Sequence, residues 1–251
     1  MRSATPARVA DLANIQTHRE QDHPTLGSAV KIGIEDEEAF EVLELLAGVL
    51  NESGAVLERL DVESLGVWMR GVLGRAQGDG AAVVRELADT FPAFRDAPQV
   101  GGHDVYLFKK AFWLVSQLAI RYADAAEVPF KAPSTAGFPV FADNVLPTML
   151  IHYGILDLSQ STDLALRQVD LAVPSTLTLS RESATRLRAA AVHACAAIVQ
   201  RAHELASRGT ADSKWLTTLT EPQLDSWLWT EAKREGLRDV ERIAERQTVY
   251  Y

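Results

Sequence analysis

Cysteine is nearly absent from this chain. There is one, Cys195, among 251 residues, which excludes an intramolecular disulfide and a cysteine metal cage. Its alanine-rich neighbours read as core, so the thiol is expected to be inert, and a chain without disulfides is expected in the cytoplasm. Positive charge is scarce too. The 25 Lys and Arg stand against 34 Asp and Glu, a formal net charge of −9, whereas a protein that grips duplex nucleic acid must neutralise several phosphates with a basic stripe. Lys109-Lys110 and the stretch from Arg70 to Arg75 are local exceptions, compatible with one small anion but not with long nucleic acid. No apolar run approaches the ~18 residues of a membrane span. The opening Met1-Arg-Ser-Ala-Thr-Pro-Ala-Arg8 leads into polar and charged residues, so neither a membrane partner nor a secretory leader is expected.

Strong catalytic signatures are missing as well. There is no P-loop, no GxGxxG after a strand, no HExxH, no GxSxG and no CxxC pair, which removes several common enzyme classes. The six histidines, at 18, 23, 103, 152, 193 and 203, have no compact ligand spacing, and neither a metal nor a cofactor is expected. What the chain does have is 47% hydrophobic residues, enough over this length for a substantial core.

Helical periodicity dominates that apolar content. Thr5-Pro6 reads as an N-cap with proline at the first helical position, and the helix is expected to end near His18. Thr17 to Lys31, with His23-Pro24 and Gly27, reads as a loop. From Asp36, Phe40, Leu43, Leu46, Val49 and Leu50 recur at three- and four-residue steps, with Asn51-Glu-Ser-Gly54 as the stop. Asp61 is expected to cap a helix carrying Leu65, Trp68, Val72 and Leu73, and Asp79 one carrying Val83, Val84, Leu87 and Phe91. Val105 to Tyr122 is the clearest helix, placing Lys109 and Trp113 as neighbours. Asp124 to Gly137 is a loop long enough to be functional. Leu164 to Leu179 allows short extended pieces. Ser180 opens a long Ala-rich helix stopped by Gly209, and Thr220-Glu-Pro222-Gln223 matches a capping box. With no repeat and no interior linker, the expected architecture is a single all-α domain over residues 1–251, with at most a minor strand pair.

One acid stands out. Phe138-Pro-Val-Phe-Ala-Asp143-Asn-Val-Leu-Pro147 sets a lone carboxylate in an apolar run at a helix start, where backbone N–H groups can hold it charged. The plain alternative is that Asp143 only caps that helix. Around it in sequence order lie Phe108-Lys109-Lys110-Ala-Phe-Trp113, Phe141-Ala-Asp143-Asn144, Asp225-Ser-Trp227-Leu-Trp229 and the terminal Arg246-Gln-Thr-Val-Tyr250-Tyr251. Taken singly, the lysines read as a solvated face, the tryptophans as core, and the tyrosines as a docked tail.

In this order the segments resemble the queuosine salvage family, queuosine 5′-phosphate N-glycosylases or hydrolases. That family carries a Tyr-Lys-Arg-Ala-Gln helix, then Phe-Ala-Asp-Tyr-Arg-Val-Pro-Gln, then Asp-x-x-Leu-Trp, then a terminus close to Arg-Thr-Ile-Tyr-Tyr. Asp89-Thr-Phe91-Pro-Ala-Phe94-Arg-Asp96 is similar to its Phe-Pro-x-Phe-x-Asp run, and the likeness covers roughly residues 80–251, leaving 1–79 as a divergent part. The resemblance implies an all-helical fold related to helix-hairpin-helix DNA glycosylases. It also implies hydrolysis of the bond between a 7-deazaguanine base and ribose 5′-phosphate, with Asp143 and Lys109 as catalytic residues. Phe108, Lys110, Trp113, Phe141, Asn144, Asp225, Trp227, Trp229, Arg246 and Tyr250 would then bind a small nucleoside or nucleotide.

The chain departs from the family pattern in three places. Val42-Leu-Glu44-Leu-Leu-Ala-Gly-Val-Leu-Asn51 replaces an Asn-Phe and Trp-Pro stretch, Lys110 replaces an arginine, and Ala244-Glu245-Arg246-Gln247 replaces a His-Arg-Thr-Arg run. Glutamine lacks the charge and the fork that suit phosphate. The sugar's phosphorylation and the base identity therefore stay open, as does the oligomeric state. A non-catalytic base-binding protein of the same fold is the competing reading, and a tryptophan-lined assembly surface is a third.

Overall fold

Thr5 and Pro6 begin the first helix as their chemistry predicts, in a computed structural model that describes residues 3–124, 128–209 and 211–250. Part of the Asp124–Gly137 loop and the terminal Tyr251 of the last motif lie outside the described residues. The Thr5 hydroxyl accepts from the Arg8 N–H at 3.2 Å, which satisfies one of the unpaired donors of a helix start. This helix, α1 (Pro6–Ala13), ends before the expected His18. Asn14 takes the left-handed conformation, φ 53°, and its N–H turns back to Ala10 O.

The segment read as a loop is mostly a hairpin. Strands β1 (His18–His23) and β2 (Gly27–Glu35) pair antiparallel, from His18 opposite Glu35 to Asp22 opposite Lys31. The overlooked signal is the two-residue alternation Val30, Ile32, Ile34, with Gly27 at φ +61° in the turn. Next, α2 (Glu37–Arg59) is capped by Asp36, whose Oδ1 accepts from Ala39 N at 3.2 Å. It runs straight through Asn51-Glu-Ser-Gly54. The Asn51 amide is engaged elsewhere, accepting from Ala4 N and donating to Ala4 O, both at 2.8 Å, so it does not compete with the helical backbone. Val9 and Ala10 pack on Leu43 and Ala47 beside that tie.

Helix α3 (Leu65–Ala76) is capped by Ser64, which accepts from Val67 N at 3.2 Å. Asp61, the expected cap, occupies a left-handed turn after α2 instead. Asp79 does cap α4 (Gly80–Thr90), accepting from Ala82 N at 3.0 Å. Gly80 is required there, because a Cβ would sit 2.0 Å from Ser134 O.

The connection before the next helix holds a short hairpin, β3 (Gln99–Val100) and β4 (His103–Asp104), and the first turn expected of that helix, Val105–Phe108, is not helical. Leu107 and Phe108 N–H both donate to Asp96 O, at 2.9 and 3.2 Å, and Phe108 is left-handed, so α5 (Lys109–Tyr122) starts at Lys109 rather than Val105. Then follow α6 (Val145–His152), α7 (Leu164–Arg167), β5 (Thr178–Leu179), α8 (Arg181–Arg208), α9 (Glu221–Glu231) and β6 (Ala244–Glu245), with β5 and β6 parallel. Ser180 and Gly209 bound α8 as expected, and the capping box at Thr220 and Gln223 is formed.

The fold is mostly α, and the sheets among the described residues are short and two-stranded. The chain falls into two compact units. One is drawn from residues up to Met69 with Thr90–Ala93 and Gln247–Val249, the other from Arg70–Asp89 and Phe94–Arg246 with Tyr250. In the second, Leu146, Met149 and Leu150 of α6 are fully buried against Ala191 and Cys195 of α8 and Leu228 of α9. Burial pushes the Cys195 thiol up to about 12, which keeps it protonated and inert. Among the described residues, no helix is long and apolar enough to cross a membrane.

Candidate functional site

Residues 138–144, which follow Gly137 and include Pro139, lie outside any helix or sheet, so their backbone groups must find partners among side chains. Helices α8 and α9 supply them in register. Val140 N–H donates to Glu221 Oε2 at 3.2 Å, and Phe141 N–H to Asp225 Oδ1 at 2.9 Å. Ala142 O accepts from Arg188 Nε at 2.9 Å. One helical turn beyond Asp225, the Trp229 indole N–H donates to Asp143 Oδ2 at 2.9 Å. Residues 140–142 are held one by one by side chains of α8 and α9, and Asp143 follows them just before α6.

Asp143 is 2% exposed, and every partner recorded for its carboxylate is a donor. Oδ1 accepts from Val145 N at 2.8 Å and Leu146 N at 3.3 Å, the first amides of α6. Oδ2 accepts from Trp229, and Lys109 Nζ lies 3.5 Å from it. The capping role is therefore real, and it occupies only one of the two oxygens. Lys109 reaches this point because α5 begins at that residue. Its ammonium also lies 5.9 Å from the Trp229 ring centre, with Lys233 Nζ over the same ring at 4.9 Å.

Two neighbouring groups are perturbed. Burial, and secondarily the negative charge of Asp143, pushes Asp225 up to about 7, against the lowering pull of the Phe141 N–H and of Lys109. Burial lowers the Lys110 ammonium, with Asp96 opposing and Lys109 adding to the shift. Two carboxylates side by side thus differ in setting, one ringed by donors and the other holding a single backbone bond and a raised pKa.

The other residues singled out from the sequence take varied positions. Phe108 is half-buried with its ring 5.6 Å from that of Tyr106, and Phe141 is buried. Asn144 precedes α6 and makes no side-chain cap bond; its carbonyl accepts from Thr148 Oγ1 at 2.7 Å. Lys110 Nζ lies 5.7 Å from the Phe94 ring centre and 5.9 Å from that of Tyr250. Trp113 and Trp227 are 50% and 52% exposed, so neither is the core residue its type suggests, and neither has a recorded bond to Asp143. Arg246 is exposed near the terminus.

Sequence reasoning missed the residues that hold the segment. Arg188 and Asp96 are both buried and form a two-pronged pair at 3.2 and 2.5 Å, 92 residues apart in the chain. The available signal was an arginine on the inner stripe of α8, between Ala184, Leu187 and Ala191, where a charge is costly unless paired. Glu221 was read only as part of a cap. It also accepts from Val140, and burial raises its pKa.

With this geometry in view, comparison with known families gives a clear result. The queuosine salvage protein family matches residues 12–251, nearly the whole chain, and the protein belongs to that family. A role in queuosine salvage follows from that membership. No curated protein matches the chain.

Proposed function

We propose that the protein is an N-glycoside hydrolase that releases a 7-deazapurine, queuine-like base from its nucleoside or nucleoside 5′-phosphate. The observation that carries this reading is the Asp143 carboxylate, buried and ringed by donors from α5, α6 and α9, in a member of a queuosine salvage family. Hydrolysis breaks the bond from the anomeric carbon to the base nitrogen, and the bonding pair leaves with the base. Positive charge then develops on the sugar ring, and a fixed carboxylate stabilises it, forms a transient ester, or aligns the water that adds to the carbon. The water's hydroxyl ends on the sugar and its proton, directly or by relay, on the base.

A 7-deazapurine has no N7 to protonate, so its departing charge must be met elsewhere on the ring. Lys109 and, where protonated, Asp225 have the charge and hydrogen-bonding capacity for that task, with Asn144 as a further donor. Trp229 fixes the acid through its N–H, and Trp229 and Phe108 are the aromatic candidates to wall or stack on the base. Trp113, Trp227, Phe141, Lys110, Arg246 and Tyr250 remain substrate-binding candidates of the same reading. The ligand is a small nucleoside or nucleotide handled in the cytoplasm, not long nucleic acid or membrane.

Incubation with queuosine 5′-phosphate, queuosine and a small panel of nucleosides, followed by assay for free base, tests the proposal. Release from one of the deazapurine substrates is expected, and release from none of them overturns it. The competing reading, a base-binding protein without turnover, is favoured by the Val42–Asn51 stretch, which lacks the family's aromatics. It predicts thermal stabilisation by the base with no product formed.

A further inference from the structure

The hairpin near the N-terminus is a ribbon exposed on both faces. Of its strand residues only His23 and Ile32 are even partly buried. A two-stranded ribbon is marginal by itself in water, and β2 has β1 on one edge and no strand on the other among the described residues. Its regular edge runs from Lys31 to Glu35 with no proline to blunt it; between Asp22 and His23 the register skips Ser28, Ala29 and Val30 of β2, so the irregularity lies at the turn end of that strand. One face of β2 presents Val30, Ile32 and Ile34, of which Val30 is 39% and Ile34 43% exposed, and the other face presents Lys31, Gly33 and Glu35.

This pattern is self-complementary. When β2 is laid antiparallel on a second β2 about a two-fold axis at Gly33, Lys31 falls opposite the second copy's Glu35 and Ile32 opposite its Ile34, each twice by symmetry. Moving the axis to Lys31 stacks like charges, and moving it to Ile32 or Ile34 leaves both ions without an opposite. An axis between residues 32 and 33 sets Lys31 against isoleucine. One register alone joins the charges on one face and the isoleucines on the other. It also prolongs a row that the hairpin already contains. Asp22 faces Lys31 and forms an ion pair with it, and His18 faces Glu35. Across four strands the row reads Asp22, Lys31, then Glu35 and His18 of the second copy. Gly33 leaves the axis uncrowded. Even a Cβ there would meet only His18 carbons, at 3.7 and 3.8 Å.

We propose that the protein forms a two-fold dimer in which two β2 edges join into one four-stranded antiparallel sheet. The interface is isologous and closes on itself, so it yields a dimer and not a filament. It involves no residue of the Asp143 site.

Charge reversal on the full-length protein provides the test. Lys31→Glu alone and Glu35→Lys alone each place like charges opposite each other, so each variant should sediment as a monomer where the wild type has twice the mass. Mixed in equal amounts they restore both opposite pairs, and the dimer mass should return as a heterodimer, which a merely misfolded variant cannot produce. A wild type that is monomeric across the micromolar range overturns the proposal. So do single variants that dimerise like the wild type, or a mixture that stays monomeric.

Discussion

Two non-helical stretches, residues 138–144 and the β1–β2 hairpin, solve the same problem in opposite ways. Each must pair backbone N–H and C=O groups that no helix provides for. The hairpin pairs them strand to strand, stays exposed on both faces, and draws little from the rest of the fold. Residues 140–142 pair theirs with the side chains of Glu221, Asp225 and Arg188, and are buried. A strand partner leaves side chains to vary and lets the edge meet other molecules. Side-chain partners from two helices fix each residue individually, as a site that must present one carboxylate requires.

The contrast can be broken first at Arg188. Replacing it with Ala strands Asp96 without its partner and frees Ala142 O, and should cost about 3–5 kcal/mol by urea denaturation. A loss under 1 kcal/mol would mean that the clamp is ornamental. Next in size, Asp143→Asn should cut base release at least about 100-fold. The new amide also sets a donor against the Trp229 N–H, so stability falls by about 1–3 kcal/mol while the fold persists. Activity that survives this change would reduce Asp143 to a helix cap.

A smaller, pH-dependent effect belongs to Asp225. Its carboxyl rises from 3.8 to about 7 on folding, so the unfolded chain sheds that proton first. The contribution of this group is therefore full below about pH 4 and is lost as pH climbs to about 7, by up to about 1.4 kcal/mol per pH unit. Asp225→Asn keeps an acceptor for Phe141 N–H and should flatten that decline in unfolding curves taken at several pH values. An unchanged slope would remove the assignment. Least of all, Gln21→Thr on the exposed β1 should shift stability by no more than about 0.5 kcal/mol. A larger loss would show that the hairpin is as tightly integrated as the segment of Asp143.

Much of the helical frame was legible because its signals are local. Thr5, Asp36, Asp79, Ser180 and Thr220 each accept from an amide three residues ahead, and that geometry is written in adjacent residues. The errors arose where a distant partner decided. Asn51 looked like a helix stop until its amide was spent on Ala4, and Val105–Phe108 looked helical until two of its amides turned to Asp96 O. For the site, the chain displayed a lone acid in an apolar run and a lysine in the family's order, but not the arginine that fixes the segment between them.

Composition and spacing by themselves determined a mostly helical protein, the caps at Thr5, Asp36, Asp79, Ser180 and Thr220, an inert cysteine, and Asp143 as the acid to examine, because each depends on side chains within one or two helical turns. Tertiary structure alone decided that Trp229 and Lys109 converge on that acid, that Arg188 and Asp96 are buried as a pair, and that Trp113 and Trp227 lie in the open. Those contacts join residues as many as 92 positions apart. A pairing at that range is set by how helices pack, which no local pattern encodes.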